Sequence, residues 1–75
     1  MLNQFILMGE VIQVTPTHYC NRECEEIKLK QNNNIYTIYN LIPIGVLNHL
    51  VAIKGHIETN EVNTFLIGVH ITIIK

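Results

Sequence analysis

Residues 50–75, LVAIKGHIETNEVNTFLIGVHITIIK, set the terms for the rest of the chain. Val51, Ile53 and Ile57 fall on one side of an extended segment, and Ala52, Lys54, His56 and Glu58 on the other. That is the two-residue period of a half-buried antiparallel strand. The polar run Thr59, Asn60, Glu61 predicts a turn. Beyond it Ile67, Val69, Ile71 and Ile73 alternate with Gly68, His70 and Thr72, which predicts a second strand. A two-stranded ribbon is marginal in water, so the upstream residues must supply partner strands. The pattern predicts one small all-β domain spanning residues 1–75.

Working outward, residues 2–14 (LNQFILMGEVIQV) read as the first strand, with Phe5, Leu7, Gly9 and Val11 on one face and Ile6, Met8, Glu10 and Ile12 on the other. Gly9 in mid-strand predicts a bulge or sharp bend, the device by which one long strand serves both sides of a closed barrel. The outward Ile6, Met8 and Ile12 need cover, which a second copy or a protein partner would provide. Residues 15–24, opened by Pro16, read as a polar loop. Residues 25–30 form a second strand, with Ile27 and Leu29 inward and Glu26, Lys28 and Lys30 outward. The amide run Gln31, Asn32, Asn33, Asn34 makes a turn, because Asn tolerates left-handed backbone angles. Residues 35–42 give a third strand carrying Tyr36, Ile38 and Tyr39, ended by Pro43. Residues 44–50 have room for two helical turns at most. Three strands, a short helical connection and two more strands is the order of the OB-fold, a five-stranded Greek-key barrel that commonly binds oligonucleotides.

Seventy-five residues make one domain with limited burial, and 48% hydrophobic content rich in Ile and Val favours strands. The surplus apolar surface predicts a homodimer or larger assembly. Five Lys plus Arg against six Asp plus Glu leave a net charge of −1, so any nucleic-acid binding must come from a local patch rather than overall charge. No signal peptide is visible and no apolar run approaches the length of a membrane span, so the expectation is a cytoplasmic protein with reduced cysteines. His18, Cys20 and Cys24 form an H-x-C-x3-C cluster, but structural zinc wants four ligands and the other histidines, 49, 56 and 70, are isolated. No metal or cofactor is expected. Asp is absent and the six Glu are scattered, so no catalytic constellation emerges and the chain is not read as an enzyme.

These residues carry a resemblance. The opening MLNQFILMGEVIQVTP resembles the start of bacterial single-stranded-DNA-binding proteins, where Met-x-Asn precedes a hydrophobic strand with Leu-x-Gly and a later proline. Here those are Asn3, Leu7, Gly9 and Pro16. LVAIKGHIE, with Gly55, resembles that family's fourth strand, and LIGVHITII its last. CEEIKLKQ and IYTIYNLIPIG resemble strands of primosomal replication protein B. Two departures bear on DNA affinity more than on fold. Glu10 and Gln4 stand where basic residues are usual, and the hairpin loops are short, carrying residues 31–34 and 58–61. The acidic tail that recruits partners in larger members is not expected here.

The resemblance implies an OB-fold, single-stranded DNA as ligand and a place in DNA replication. It puts Tyr39 where the family has a base-stacking aromatic. Strand binding needs cations for phosphates and flat side chains for bases. Lys28 and Lys30 project from one face of the second strand, and Tyr36, Tyr19, Arg22 and Lys54 extend the surface. The alternative is an accessory subunit that binds a polymerase, primase or helicase through Ile6, Met8 and Ile12.

Overall fold

The computed structural model of the chain describes residues 3–42 and 45–75. Five strands follow one another: β1 (Gln4–Tyr19), β2 (Arg22–Gln31), β3 (Asn34–Asn40), β4 (Leu50–Thr59) and β5 (Thr64–Ile73). They close into a barrel in the order β1-β2-β3-β5-β4, with β4 returning to β1. All pairings are antiparallel except β3 with β5, a parallel seam of three pairs from Ile38 to Asn40. The topology is consistent with an OB-fold-like barrel.

Closure depends on β1 serving two neighbours. Its residues 4–10 pair with β4 and residues 10–19 with β2, and the register slips by one residue between Val11 and Gln13. Gly9 sits just before the changeover. A Cβ there would run into the Lys30 carbonyl oxygen, so only glycine lets β2 come this close. Gly9 thus permits a close backbone approach, and the expected bulge falls three residues on, at Ile12, rather than at Gly9 itself. Gly55 plays the same part on β4, where a Cβ would collide with the Ile67 carbonyl oxygen beside a second register slip.

The core is the inward set that two-residue alternation selects: Val11, Ile27, Leu29, Ile38, Val51 and Ile53 are fully buried, with Val46 from the β3–β4 connection closing one end. Phe5, Leu7, Val14, Tyr36, Leu66 and Ile71 pack around it.

Several local expectations are corrected. Residues 15–24 are not a loop. β1 runs through Pro16 to Tyr19 and pairs with β2 through Tyr19↔Arg22. The reversal is a two-residue turn at Cys20 and Asn21, both with left-handed φ (51° and 63°), the primed geometry that matches strand twist. The third strand stops at Asn40, whose Nδ2 donates to the Ile42 carbonyl at 2.7 Å across the bend that follows. Pro43, expected to end it, lies outside the described residues, as do Ile44 and Leu2. The expected helical connection is not seen. Among the described residues it is irregular, with Gly45 and Asn48 at positive φ, and it is stitched to the β1 bulge by Asn48 N–H to Val11 O (2.9 Å) and Val11 N–H to His49 O (3.0 Å). On β5 the expected inward set Ile67, Val69, Ile71 is corrected: Leu66, Gly68 and Ile71 face the core, while Ile67 pairs with the outward Tyr39 and His56 and is buried outside the core cluster. The slip that pairs Lys54 with His70 but Gly55 with Gly68 makes Val69 the extra residue, and it is exposed.

Candidate nucleic-acid interface

The β1–β2 hairpin reaches across the barrel, and its tip residue Tyr19 organises the outer face. Its ring stacks on Tyr39 of β3, with centroids 5.5 Å apart and planes at 28°, and meets Phe65 of β5 edge-on at 5.5 Å. Tyr39 and Phe65 are themselves in edge contact at 5.8 Å. All three rings are half-buried. Tyr39 faces outward because its neighbours Ile38 and Asn40 are turned inward and buried.

A polar clasp fixes the hairpin. The Tyr19 hydroxyl donates to Glu58 Oε1 at 2.5 Å, and His56 Nε2 donates to Glu58 Oε2 at 2.7 Å. Glu58 and Phe65 are cross-strand partners beside the β4–β5 turn, so this contact joins the tips of two hairpins that are distant in sequence. The donated hydrogen bonds, Tyr19's first, hold the Glu58 carboxyl below its ordinary range. The same bond, with some burial, pushes the Tyr19 phenol well above its ordinary value.

The expected cations are dispersed around this cluster. Lys28 lies on the outer face of β2, two pairs along from the Glu26↔Tyr39 pair. Its ammonium donates to Thr37 Oγ1 at 2.6 Å and lies 3.5 Å from Glu26 Oε1, so its charge is already engaged. Lys30 is exposed between its cross-strand partners Glu10 and Ile35. Arg22 is exposed at the hairpin tip, opposite Tyr19. Lys54 is exposed on β4 between Ile6 of β1 and His70 of β5, on the other side of the aromatic cluster from Lys28. Tyr36 does not join the outer face; it pairs with buried Leu29 and packs against the core.

Ile6 and Met8 form a separate exposed apolar stripe on β1, at 68% and 50% exposure, with Ile12 at 39% on the bulge. Cys20 and Cys24 are both free, Cys20 exposed on the turn and Cys24 buried, where desolvation pushes its thiol up. His18 pairs with Glu23 while Cys24 pairs with Thr17, so their side chains leave opposite faces of the hairpin. Among the described residues no group of three potential ligands is placed to hold a metal ion. No helix among them is long and apolar enough to cross a membrane.

Phe65, Glu58 and His56 belong to the site although the residue pattern does not single them out. The available signal was modest: Phe65 is the one aromatic after Tyr39, and Glu58 stands opposite it across a short turn. The fold thus defines the class, a closed five-stranded β-barrel with one aromatic face. No protein-family model, curated protein or solved structure matches this chain.

Proposed function

We propose that this chain is a five-stranded Greek-key OB-fold that holds single-stranded DNA during replication, in the manner of a reduced single-strand-binding or primosomal protein. The observation that carries the reading is the outward cluster Tyr19–Tyr39–Phe65, set between the β1–β2 and β4–β5 hairpins. In this barrel type those two hairpins flank the oligonucleotide face. Flat rings there take bases by stacking, which every base can do, so binding is not sequence-specific. Arg22 and Lys54, exposed and outside any ion pair among the described residues, are available for phosphates around the cluster, whereas Lys28 is engaged by Glu26 and Lys30 stands opposite Glu10.

With two such contacts, log K falls by only about 1.4 per decade of salt (about 0.7 × 2). Stacking adds roughly 1–3 kcal/mol per base. One barrel therefore binds weakly, and useful affinity calls for two or more barrels on one strand, where effective concentration multiplies weak contacts. Titrating labelled oligo(dT) of about 30 nucleotides by anisotropy tests the reading, since a strand of that length exceeds the site of one barrel. Micromolar binding with that salt slope supports it, and no binding at tens of micromolar by folded protein refutes it.

A second reading rests on a different observation, the exposed Ile6–Met8 stripe. It makes the barrel an accessory subunit of a polymerase, primase or helicase, or a dimer, joined through that face with Ile12 at its edge. Ile6→Lys with Met8→Lys should then abolish the complex or dimer while leaving oligo(dT) affinity per barrel unchanged.

A further inference from the structure

On the reading that the aromatic cluster holds a base, the course of the adjoining backbone can be argued from charge. Toward β2 the next outward groups past Tyr39 are Glu26 and Lys28, already paired with each other, and then Lys30 beside Glu10. A phosphate moving that way meets a carboxylate at each step.

The other direction differs. A shallow cleft opens on the outer face of β1, β4 and β5, lined by Gln4, Lys54, Gly55, His56, Val69 and His70. Its walls are two cross-strand pairs, Lys54 with His70 and Gln4 with His56. The bulge at Val69 spreads β5 here, and Gly55 contributes only backbone. None of the lining residues is a carboxylate, although the chain as a whole is net acidic. The nearest acid on β4, Glu58, has both oxygens taken by Tyr19 and His56. From β1 the neighbouring outward group is Ile6, and from β5 it is Thr72. Lys54 makes no ion pair among the described residues.

We propose that this cleft binds a phosphodiester group of the strand whose base sits on the aromatic cluster, with Lys54 and His70 as its cationic and hydrogen-bonding contacts. Glu58 and Lys54 are four residues apart on one face, about 13 Å, so base and phosphate belong to one short segment of the strand. The strand runs along β4 and β5, away from Lys28 and Lys30.

The test compares oligo(dT) binding by wild type, Lys54→Gln, Lys54→Arg, His70→Gln and the double variant Lys28→Gln/Lys30→Gln over a salt series. Losing one phosphate contact removes about 0.7 from the salt slope, which is a loss of about eightfold at about 50 mM salt and about fourfold at about 150 mM. Lys54→Gln should show that loss and slope change, Lys54→Arg should restore both, and His70→Gln should weaken binding. Lys28→Gln/Lys30→Gln should keep the wild-type slope. If wild type binds and Lys54→Gln binds with the same affinity and slope, the cleft is refuted while strand binding stands. If wild type does not bind, both fall. Inorganic phosphate at matched ionic strength should leave the difference between wild type and Lys54→Gln intact; erasing it would mark a site for free phosphate and overturn the proposal.

Discussion

Replacing Gly55 with alanine should force β4 and β5 apart. The new Cβ would strike the Ile67 carbonyl oxygen and lie 2.8 Å from the Ile67 carbonyl carbon and 3.0 Å from Phe5 Cε1. Two of those three atoms are backbone, so no rotamer change relieves the clash, and β4 and β5 must move apart by at least several tenths of an ångström. Ile67 and Gly68 are also two of the three β5 residues in the parallel seam with β3, so the displacement falls on the shortest pairing in the barrel. Overpacking of this kind costs about 3 kcal/mol at the upper end of its usual range. A chain of this length has about 4–11 kcal/mol in total, at roughly 0.05–0.15 kcal/mol per residue. With about 4–8 °C lost per kcal/mol, Tm should fall by about 12–24 °C. Thermal melts followed by far-ultraviolet circular dichroism measure this directly. Gly68→Ala is the matched comparison: its Cβ would meet the Ile38 and Ile53 methyls at 3.2 Å and Asn40 Oδ1 at 3.4 Å, all side-chain atoms that can yield. It should cost about 1 kcal/mol, or about 4–8 °C. If Gly55→Ala melts with wild type, or below it by less than Gly68→Ala does, the close approach that closes the barrel is refuted.

Other outcomes follow from the outer face. Tyr39→Ala should weaken oligo(dT) binding by roughly 5- to 150-fold, the equivalent of about 1–3 kcal/mol for one stacked base, and anisotropy reads it; unchanged affinity would remove Tyr39 from the site. The Glu58 carboxyl lies below its ordinary value of 4.5 in the folded state. Its contribution to stability is therefore present above that pH and lost as pH falls through the depressed value. Melts from neutral to acidic pH should show Glu58→Gln losing less stability than wild type over that range. The Tyr19 phenol is raised above its ordinary value of 10.0, so the clasp also weakens at the alkaline end, as pH rises through the raised value. Ultraviolet titration should reveal a late-ionising phenol that disappears in Tyr19→Phe. A thiol-reactive dye should label Cys20 quickly and Cys24 only on unfolding, because the first is exposed and the second buried.

The strand faces were legible because each depends only on its own residues. Phe5, Leu7, Gly9 and Val11 turn inward, as do Ile27 and Leu29, and Ile6 and Met8 are left outside. Even an irregularity near Gly9 could be read, since a glycine interrupting an apolar strand marks a bulge or a close backbone approach. Residues 15–24 were not legible. Proline and polar side chains in that stretch signal a loop, but Pro16 lies where the β1–β2 hairpin extends beyond the closed barrel, and a strand there tolerates a missing donor. Cys-Asn is also a weak advertisement for a primed turn, which Asn-Gly announces far more clearly.

The composition of the site was hidden for a deeper reason. Tyr19, Tyr39 and Phe65 meet only because two registers are offset from simple alternation, one at Ile12 and one at Val69. Each slip moves the residues beyond it to the other face, so a two-residue period read from either end of the strand assigns some of them wrongly. The first slip lies in the stem of the hairpin that carries Tyr19 to Tyr39 and Phe65. The second sets Lys54 against His70 and exposes Val69 beside them. The same irregularities that defeat the pattern thus shape both the aromatic cluster and the cleft. Filling either slip by deleting Ile12 or Val69 should therefore disturb strand binding more than the loss of one partly exposed side chain explains.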